Sequence, residues 1–343
     1  PTAFITSPPT AELCSGQPLN YTITANNNLA TFAWSASVSS GTVTGFTASG
    51  TSANLNDVLT NTGNVDGVLK YNILPTIGSC PGTPFVLTVT VHPLPVLTVP
   101  PTLDICNNQA ANVTLSSTVA NTTYTWTSTA GADITGNTNQ TTVLTTNSIQ
   151  DVLNNSGTVA ETVTYTITPY NGTCPGTPVT SIVTVQPTPK ASIPGPDQEI
   201  CSTAPYTLQG NDPAPFTGKW TQIDANPAVT FSDNTKFNAV VTGLVSGNIY
   251  KFQWTITASA SCPASSNVVT ITVDTPPVGG IAAANPADIC LGSNSQVNLT
   301  GQLGSVVQWE TSIDNATWSL ISNTTATLVT PVLTQTTYYR ALI

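Results

Sequence analysis

The stretch that decides the fold reads Cys80-Pro81-Gly82-Thr83-Pro84, followed by the strand-like run Phe85-Val86-Leu87-Thr88-Val89-Thr90-Val91. It recurs as Cys174-Pro175-Gly176-Thr177-Pro178 before residues 179–185, and more loosely as Cys262-Pro263 before residues 268–273. In each copy a proline follows the cysteine by fifteen residues, at Pro95, Pro189 and Pro277. A cysteine, a strand and a proline stop at one fixed spacing predict a chain of tandem modules.

Working outward from these copies divides the chain into four repeats. We define repeat 1 as residues 1–94, repeat 2 as 95–188, repeat 3 as 189–276 and repeat 4 as 277–343, and we interpret repeat 4 as truncated at its C-terminus. Each repeat opens with a proline-rich lead and an early cysteine, namely Cys14, Cys106, Cys201 and Cys290. A tryptophan follows at a nearly constant distance, at Trp34, Trp126, Trp220 and Trp309, and we expect it in the core.

The apolar pattern predicts the fold class. Short runs with period-two alternation, separated by Gly, Asn and Pro turns, are typical of all-β sandwiches, and no segment has a helical period. Repeats of this size with one central tryptophan predict tandem Ig-like β-sandwiches. Because the Pro-x-Pro linkers are stiff and extended, we expect the sandwiches to form an extended rod.

Composition excludes several classes of function. Charged residues make up 6% of the 343 residues, and the net charge is −10 because the chain has only six Lys and Arg. Nucleic acid and anionic membrane surfaces are therefore disfavoured as partners, since both require basic patches. No apolar run is long enough to span a bilayer, so we expect no membrane insertion of this segment.

The cysteines predict disulfides within the repeats. We expect the pairs Cys14–Cys80, Cys106–Cys174 and Cys201–Cys262, one in each complete repeat and each stapling one end of its sandwich, with Cys290 unpaired. Metal binding is the competing interpretation, but it would need clustered Cys and His, and the chain has one histidine. Disulfides would place the protein outside the reducing cytosol.

The sequence contains no recognisable catalytic constellation, metal site or cofactor motif. His92 stands in a Val-His-Pro linker without a nucleophile or further ligands nearby. Asp57 and Asp151 occupy equivalent positions, where a turn or cap hydrogen bond is favoured over a calcium site. Tyr71 and Tyr165 share a strand position, which the alternation also assigns to Trp254, and all three are predicted to lie in the core.

Trp318 is the one tryptophan outside the repeated pattern that could stack on a sugar. It lies in Asn315-Ala316-Thr317-Trp318, which has no counterpart in the other repeats, and Phe216 is a weaker second candidate. An exposed aromatic platform at Trp318 would make repeat 4 a carbohydrate-binding module.

The repeated motifs resemble those of a known family. Repeats 1 and 2 are similar to PKD-like repeats of giant secreted adhesins of the Bacteroidota, in the Ile-Cys-x-x-Gln opening (105–109), the Tyr-x-Trp core (124–126), the Asp-x-Leu-x-Asn-x-x-Gly element (151–157) and the Cys-Pro-Gly-Thr-Pro ending. Repeat 3 resembles related repeats that begin Gly-Pro-Asp-Gln-x-Ile-Cys, and repeat 4 resembles Ig-like repeats of the same proteins.

This resemblance implies a function outside the cell. Such repeats occur in SprB-type gliding-motility adhesins, which the type IX secretion system exports. The resemblance therefore implies a non-enzymatic stalk at the cell surface, connected through other parts of the protein to the motility and secretion machinery. The alternatives are a module that binds polysaccharides or abiotic surfaces, and an accessory region of a secreted polysaccharide-degrading enzyme. Exposed edge strands could also pair chains into a filament.

Overall fold

The computed structural model describes residues 2–343, which contain β-strands and no helix. Each repeat encloses its own cluster of buried apolar side chains. The prediction of an all-β fold built from tandem β-sandwiches is therefore confirmed. The chain forms two compact units: unit 1 contains Pro1–Pro189 and Thr257–Ala264, and unit 2 contains Lys190–Ile256 and Ser265–Ile343. The boundaries of the four repeats stay a prediction.

Repeat 1 is a two-layer sandwich. Its strands are β1 (Thr10–Cys14), β2 (Gln17–Pro18), β3 (Tyr21–Thr22), β4 (Thr31–Ser40), β5 (Val43–Thr44), β6 (Ser49–Gly50), β7 (Asn54–Leu55), β8 (Val58–Asn61), β9 (Gly67–Ile77), β10 (Cys80–Pro81) and β11 (Phe85–His92). One layer has the order β1-β11-β9-β4-β6, with β10 paired to β9. The other layer consists of β2-β8-β5 and the pair β3-β7.

Alternation along the two long central strands builds the core of repeat 1. In β9 the side chains of Leu69, Tyr71 and Ile73 point inward and are buried, while the residues between them are half-buried or exposed. In β11 the side chains of Leu87, Val89 and Val91 do the same, and Tyr71 pairs with Leu87. Because β-branched and aromatic residues pack well on a pleated surface, this pattern fixes which face of the sheet is buried.

Repeat 2 has the same topology. Its strands are β12 (Leu97–Thr98), β13 (Thr102–Cys106), β14 (Gln109–Ala110), β15 (Val113–Thr114), β16 (Ser116–Ser117), β17 (Thr123–Ala130), β18 (Ile134–Thr135), β19 (Gln140–Leu144), β20 (Ser148–Ile149), β21 (Val152–Asn155), β22 (Glu161–Asn171), β23 (Cys174–Pro175) and β24 (Val179–Gln186). The main sheet has the order β13-β24-β22-β17-β19, with β23 paired to β22. Opposite it lie β14-β21-β18 and the pairs β15-β20 and β12-β16.

Repeat 3 keeps the central strands and has fewer short ones. It contains β25 (Gln198–Ile200), β26 (Tyr206–Thr207), β27 (Thr217–Gln222), β28 (Thr230–Phe231), β29 (Val240–Thr242), β30 (Asn248–Thr257) and β31 (Ser265–Val273), in the sheets β25-β31-β30-β27 and β26-β29-β28. Its register corrects one prediction from the sequence. Phe252 pairs with Val269, as Tyr71 pairs with Leu87, so Phe252 and not Trp254 occupies the shared strand position.

Repeat 4 has two three-stranded sheets. Its strands are β32 (Ile281–Asn285), β33 (Gln296–Thr300), β34 (Gln308–Ser312), β35 (Ser319–Ile321), β36 (Thr327–Val329) and β37 (Tyr338–Leu342), in the orders β32-β33-β36 and β35-β34-β37. Trp309 is fully buried between the sheets, as Trp220 is in repeat 3. The other two core tryptophans, Trp34 and Trp126, are also buried, which agrees with their predicted place in the core.

Candidate functional site: disulfides between neighbouring repeats

The early and late cysteines of repeat 1 lie at opposite ends of the sandwich. Strand β1 runs parallel to β11, and Cys14 at its end pairs with His92, the last residue of β11. Cys80 instead lies in the hairpin between β9 and β11, beside Ile77. Because β11 has eight residues, its two ends are about 23 Å apart. We call the end with Cys14 the C-terminal pole and the end with Cys80 the N-terminal pole.

This geometry overturns the predicted disulfide pairing. A disulfide requires Cα atoms less than about 7 Å apart, so Cys14 does not reach Cys80 in the folded repeat. The structure instead joins Cys14 to Cys174 and Cys106 to Cys262, with Cα–Cα distances of 5.4 and 5.5 Å. Each bond connects the C-terminal pole of one repeat to the N-terminal pole of the next. The expected pairs Cys14–Cys80, Cys106–Cys174 and Cys201–Cys262 are therefore wrong.

The surroundings of the first bridge are closely packed. Cys174 is 1% exposed, and the side-chain amide of Asn171 donates to the carbonyl oxygen of Pro93 in the linker, at 3.2 Å. A Cβ atom at Gly176 would lie 2.1 Å from the carbonyl oxygen of Pro95. Glycine is thus required where the hairpin of repeat 2 meets the linker. Within unit 1, the linker and the disulfide form two covalent connections side by side.

The second bridge lies in a polar environment. It joins Cys106, at the end of β13, to Cys262 in the loop 257–264, which belongs to unit 1. The hydroxyl of Ser261 donates to Asp104 Oδ2 at 3.2 Å, next to the bridge. Asp104 Oδ1 also accepts a hydrogen bond from Gln186 Nε2 at 2.8 Å, so one carboxylate contacts both the last strand of repeat 2 and the bonded loop.

Within residues 2–343, three cysteines have free thiols: Cys80, Cys201 and Cys290, all of them exposed. Cys80 lies at the N-terminal pole of repeat 1, in the position that Cys174 has in repeat 2. Cys201 follows β25, whose last residue Ile200 pairs with Val273 at the end of β31, so it lies at the C-terminal pole of repeat 3. Cys80 and Cys201 thus occupy the same two kinds of position as the bonded cysteines.

Asp57 and Asp151 hold a polar network inside repeats 1 and 2. Asp57 accepts hydrogen bonds from the Thr47 backbone at 2.8 Å, the Thr47 hydroxyl at 2.9 Å and the Tyr71 hydroxyl at 3.1 Å. Burial, and then the neighbouring Asp57 carboxylate, raise the pKa of Tyr71 well above its usual range. The aspartate therefore connects a loop to a buried tyrosine.

Repeat 2 has the same network. Asp151 accepts from the Thr138 backbone at 2.7 Å, the Thr138 hydroxyl at 2.8 Å and the Tyr165 hydroxyl at 2.7 Å. Burial and then the hydrogen bond to Asp151 raise the pKa of Tyr165 well above its usual range, as for Tyr71. A turn or cap role was predicted for both aspartates, but their hydrogen bonds to Thr47 and Thr138 span 10 and 13 residues of sequence, which is longer than a turn or a cap. The hydrogen bonds to Tyr71 and Tyr165 were not predicted, although the Asp and the Tyr recur together at one spacing.

The other candidate residues lie apart from the disulfides. His92 ends β11, and its Nδ1 is 2.8 Å from Asp66 Oδ1. Trp318 is half-buried, and the guanidinium carbon of Arg340 lies 4.1 Å from its ring centroid. Arg340 Nε donates to Glu310 Oε2 at 2.6 Å, which holds the cation over the ring. Phe216, the second aromatic candidate, packs against the core of repeat 3.

Two negative findings concern residues 2–343. No three His, Cys, Asp or Glu side chains in this range are grouped so that they could hold a metal ion. The same residues include no helix with the length and apolar character needed to cross a membrane.

Comparisons with known proteins agree with this architecture. Residues 11–95 and 103–189, together half of the chain, match the family described as PKD-like domain, and residues 278–343 match a domain of unknown function (DUF8696). No curated protein matches the chain.

Solved structures that resemble the chain are tandem arrays of domains. The titin I-band fragment I67–I69 has 11% identity and a TM-score of 0.41 over 80% of this chain and 99% of that one. Domains 3–5 of Drosophila OTK have 13% identity and a TM-score of 0.34 over 78% and 95%. Immunoglobulin domains 1–5 of Sidekick-1 have 10% identity and a TM-score of 0.32 over 99% and 75%. On the family match over its first two repeats, the chain belongs to the PKD-like domain family.

Proposed function

We propose that the chain is a load-bearing segment of the stalk of an extracellular adhesin. The observation that carries the proposal is that both disulfides cross a boundary between repeats. A disulfide inside one domain stabilises that domain alone. A disulfide between neighbouring domains adds a second covalent path for tension beside the linker.

The two bridges overlap along the chain. The first closes a loop of 160 residues and the second a loop of 156, and residues 106–174 belong to both. A force applied to the chain ends passes from Cys14 to Cys174, back along repeat 2 to Cys106, and across to Cys262. Between residues 14 and 262 the shortest covalent path is therefore the 68 residues from 106 to 174.

This path limits how far the chain extends. Reduced and unfolded, the 248 residues from 14 to 262 span at most about 870 Å, at roughly 3.5 Å per residue. With both disulfides intact, the path of 68 residues spans about 240 Å. An overloaded stalk would then lose its fold without gaining most of its length, and it would refold from a compact state.

Single-molecule stretching between handles at the two termini tests the proposal. We expect reduction with dithiothreitol to increase the contour length released between residues 14 and 262 by about 630 Å, which is the difference between the two paths. The matched variant Cys14→Ser/Cys174→Ser lengthens the shortest path to the 92 residues from 14 to 106, about 320 Å. An oxidised chain that extends as far as the reduced one would show that the disulfides do not carry the load.

The disulfides also support a place outside the cytosol, because they persist in oxidising compartments. On the resemblance of the repeats, we extend the proposal to a cell-surface adhesin of the SprB type. In such a protein the stalk would hold an adhesive tip away from the cell, and the motility and secretion machinery would act on other parts of the chain. Deletion of residues 1–343 from the full gene should shorten the surface filament and impair gliding while leaving export intact.

Direct binding of polysaccharide is the outcome that would contradict a pure stalk. The Trp318 ring already has the Arg340 guanidinium over one face, which does not favour a sugar platform there. We expect the oxidised chain and its Trp318→Ala variant to give the same background signal on a panel of polysaccharides and abiotic surfaces. Saturable binding that disappears in Trp318→Ala would make repeat 4 a carbohydrate-binding module.

A further inference from the structure

We propose that the N-terminal pole of repeat 1, with Cys80 at its centre, is a docking and cross-linking site for the C-terminal pole of another PKD-like repeat. The bond formed is a disulfide between Cys80 and the early cysteine of that repeat. The proposal depends on the geometry of the two observed bridges and does not depend on the mechanical role proposed above.

The N-terminal poles of repeats 1 and 2 have the same structure. In repeat 1, Cys80 and Pro81 pair with the end of β9, and in repeat 2, Cys174 and Pro175 pair with the end of β22. The next residue, Gly82 or Gly176, donates its backbone N–H to the carbonyl oxygen of Pro75 or Pro169, at 2.8 Å in both repeats.

The lead of each repeat completes this pole. A Cβ atom at Gly82 would lie 2.2 Å from the carbonyl oxygen of Ala3, and one at Gly176 would lie 2.1 Å from that of Pro95. Ala3 and Pro95 precede the early cysteines Cys14 and Cys106 by the same eleven residues. Both poles therefore place their cysteine next to the point where the chain enters the sandwich.

The two poles differ in exposure and in the state of their cysteine. Cys174 is 1% exposed and bonded to Cys14 of repeat 1, whereas Cys80 is exposed and has a free thiol. Gly176 is buried, and Gly82 is only half-buried. The contact between repeats 1 and 2 thus shows what covers such a pole when it is occupied: the C-terminal pole of a repeat, with its early cysteine directed at the hairpin.

The early cysteines of the observed bridges define the partner of Cys80. The early cysteines that form bridges follow Leu13 or Ile105, at the end of a strand that runs parallel to the last strand of the repeat. A partner for Cys80 needs the same strand, the same free cysteine and a short linker. Cys106 repeats this arrangement with Cys262, although the hairpin of repeat 3 lacks the Gly-Thr-Pro sequence. The pairing therefore depends on the position of the cysteines and not on one loop sequence.

The reaction balances with a small-molecule disulfide as oxidant. The two thiols lose two protons and two electrons as their S–S bond forms. Oxidised glutathione accepts the electrons, its own S–S bond breaks, and two molecules of thiol leave.

The test adds one repeat to the chain. A second copy of residues 1–92 is placed ahead of the full chain, so that Cys14 of the added repeat precedes Cys80 of the original chain by 158 residues, between the natural separations of 160 and 156. After refolding in glutathione buffer, free thiols are alkylated, and disulfides are mapped by proteolysis and mass spectrometry. We expect a bond between these two cysteines, and alkylation of the original Cys80 to be lost.

Two controls make the result decisive. In the same sample the Cys106–Cys262 bond reports correct folding, and Cys14→Ser in the added repeat should restore alkylation of the original Cys80. If the original Cys80 is alkylated as fully as in the unextended chain while Cys106–Cys262 forms, the proposal is overturned. A bond between Cys14 and Cys80 of the same added repeat would also overturn it.

Discussion

Repeats 1 and 2 differ from repeat 3 in the residues at two equivalent positions. In repeats 1 and 2 an aspartate contacts a buried tyrosine through a hydrogen bond, Asp57 with Tyr71 and Asp151 with Tyr165. In repeat 3 the tyrosine position is Phe252, which pairs with Val269 as Tyr71 pairs with Leu87.

The aspartate position in repeat 3 is Ala239. Its carbonyl oxygen accepts from Leu208 N, as the carbonyl oxygen of Asp57 accepts from Leu19 N. Ala239 and Phe252 are both buried in the same apolar cluster. The polar pair of repeats 1 and 2 is thus replaced as a whole by an apolar pair.

This difference indicates that the aspartate and the tyrosine depend on each other energetically. A buried hydroxyl or carboxylate that loses its partner keeps its desolvation cost, whereas removal of both groups can be nearly neutral. Repeat 3 retains the sandwich without the pair, so the pair is not required for the fold. It adds a polar contact between the loop at Thr47 or Thr138 and the core of the repeat.

The largest expected effect is that of Ala239→Asp, which places a carboxylate in repeat 3 without its tyrosine. Ala239 is 1% exposed and is buried in the same apolar cluster as Phe252. We expect a loss of about 3–5 kcal/mol in the free energy of unfolding, the cost typical of an unpaired buried charge. Urea denaturation followed by tryptophan fluorescence measures it.

The matched control for this variant is Ala239→Asp/Phe252→Tyr, which copies the pair of repeats 1 and 2. It should recover part of the lost stability, because the new hydroxyl donates to the new carboxylate. If Ala239→Asp alone lowers the free energy of unfolding by less than about 1 kcal/mol, the aspartate does not need a tyrosine partner, because the site then accepts an unpaired carboxylate.

A double-mutant cycle in repeat 2 has the next largest expected effect. Asp151→Ala leaves the hydroxyl of Tyr165 and the backbone N–H of Thr138 without their acceptor, and we expect a loss of about 2 kcal/mol. Tyr165→Phe should cost about 1 kcal/mol. The double variant, which copies Ala239 and Phe252, should cost at least about 1 kcal/mol less than the sum of the single variants. Strict additivity would show that the two residues are independent.

Much of this architecture could be predicted from the sequence. Alternation in 68–73 and 163–167, the recurring tryptophans and the proline stops gave the all-β tandem sandwich, because burial of one strand face is a local pattern. The register of the central strand of repeat 3 was harder to predict from the sequence. In 250–256 every second residue is apolar, so a shift of two residues keeps the same face inward, and Trp254 was placed where Phe252 lies.

The disulfide pairing could not be deduced because it depends on strand direction. Sequence spacing brings Cys14 and Cys80 into one repeat, but the parallel pairing of β1 with β11 separates them by the length of a strand. Parallel pairing between the first and last strands is a long-range property without a local signal. The hairpins of Cys80 and Cys174 lie beside the leads of their own repeats, at Ala3 and Pro95, and the order of the sequence does not reveal this contact.

Alkaline pH gives the smallest expected effect, and it separates the two kinds of repeat. An unfolded tyrosine ionises near pH 10, whereas the pKa values of Tyr71 and Tyr165 are raised in the folded protein. Protonated tyrosine is therefore favoured by folding, so this stability is complete below pH 10 and is lost as the pH rises above it. Between pH 9 and pH 11, ionisation of each tyrosine in the unfolded chain should lower the free energy of unfolding by about 1.4 kcal/mol.

The comparison that isolates this effect uses Asp151→Ala/Tyr165→Phe, in which repeat 2 carries the residues of repeat 3. Urea midpoints are measured at pH 9 and pH 11 on oxidised protein whose free thiols are alkylated, so that thiolate exchange does not disturb the disulfides. We expect the parent protein to lose more stability between pH 9 and pH 11 than the variant does. The difference should equal the contribution of Tyr165 alone. Equal losses would show that Tyr165 ionises as readily in the folded chain as in the unfolded one, and that its hydrogen bond to Asp151 does not hold the proton.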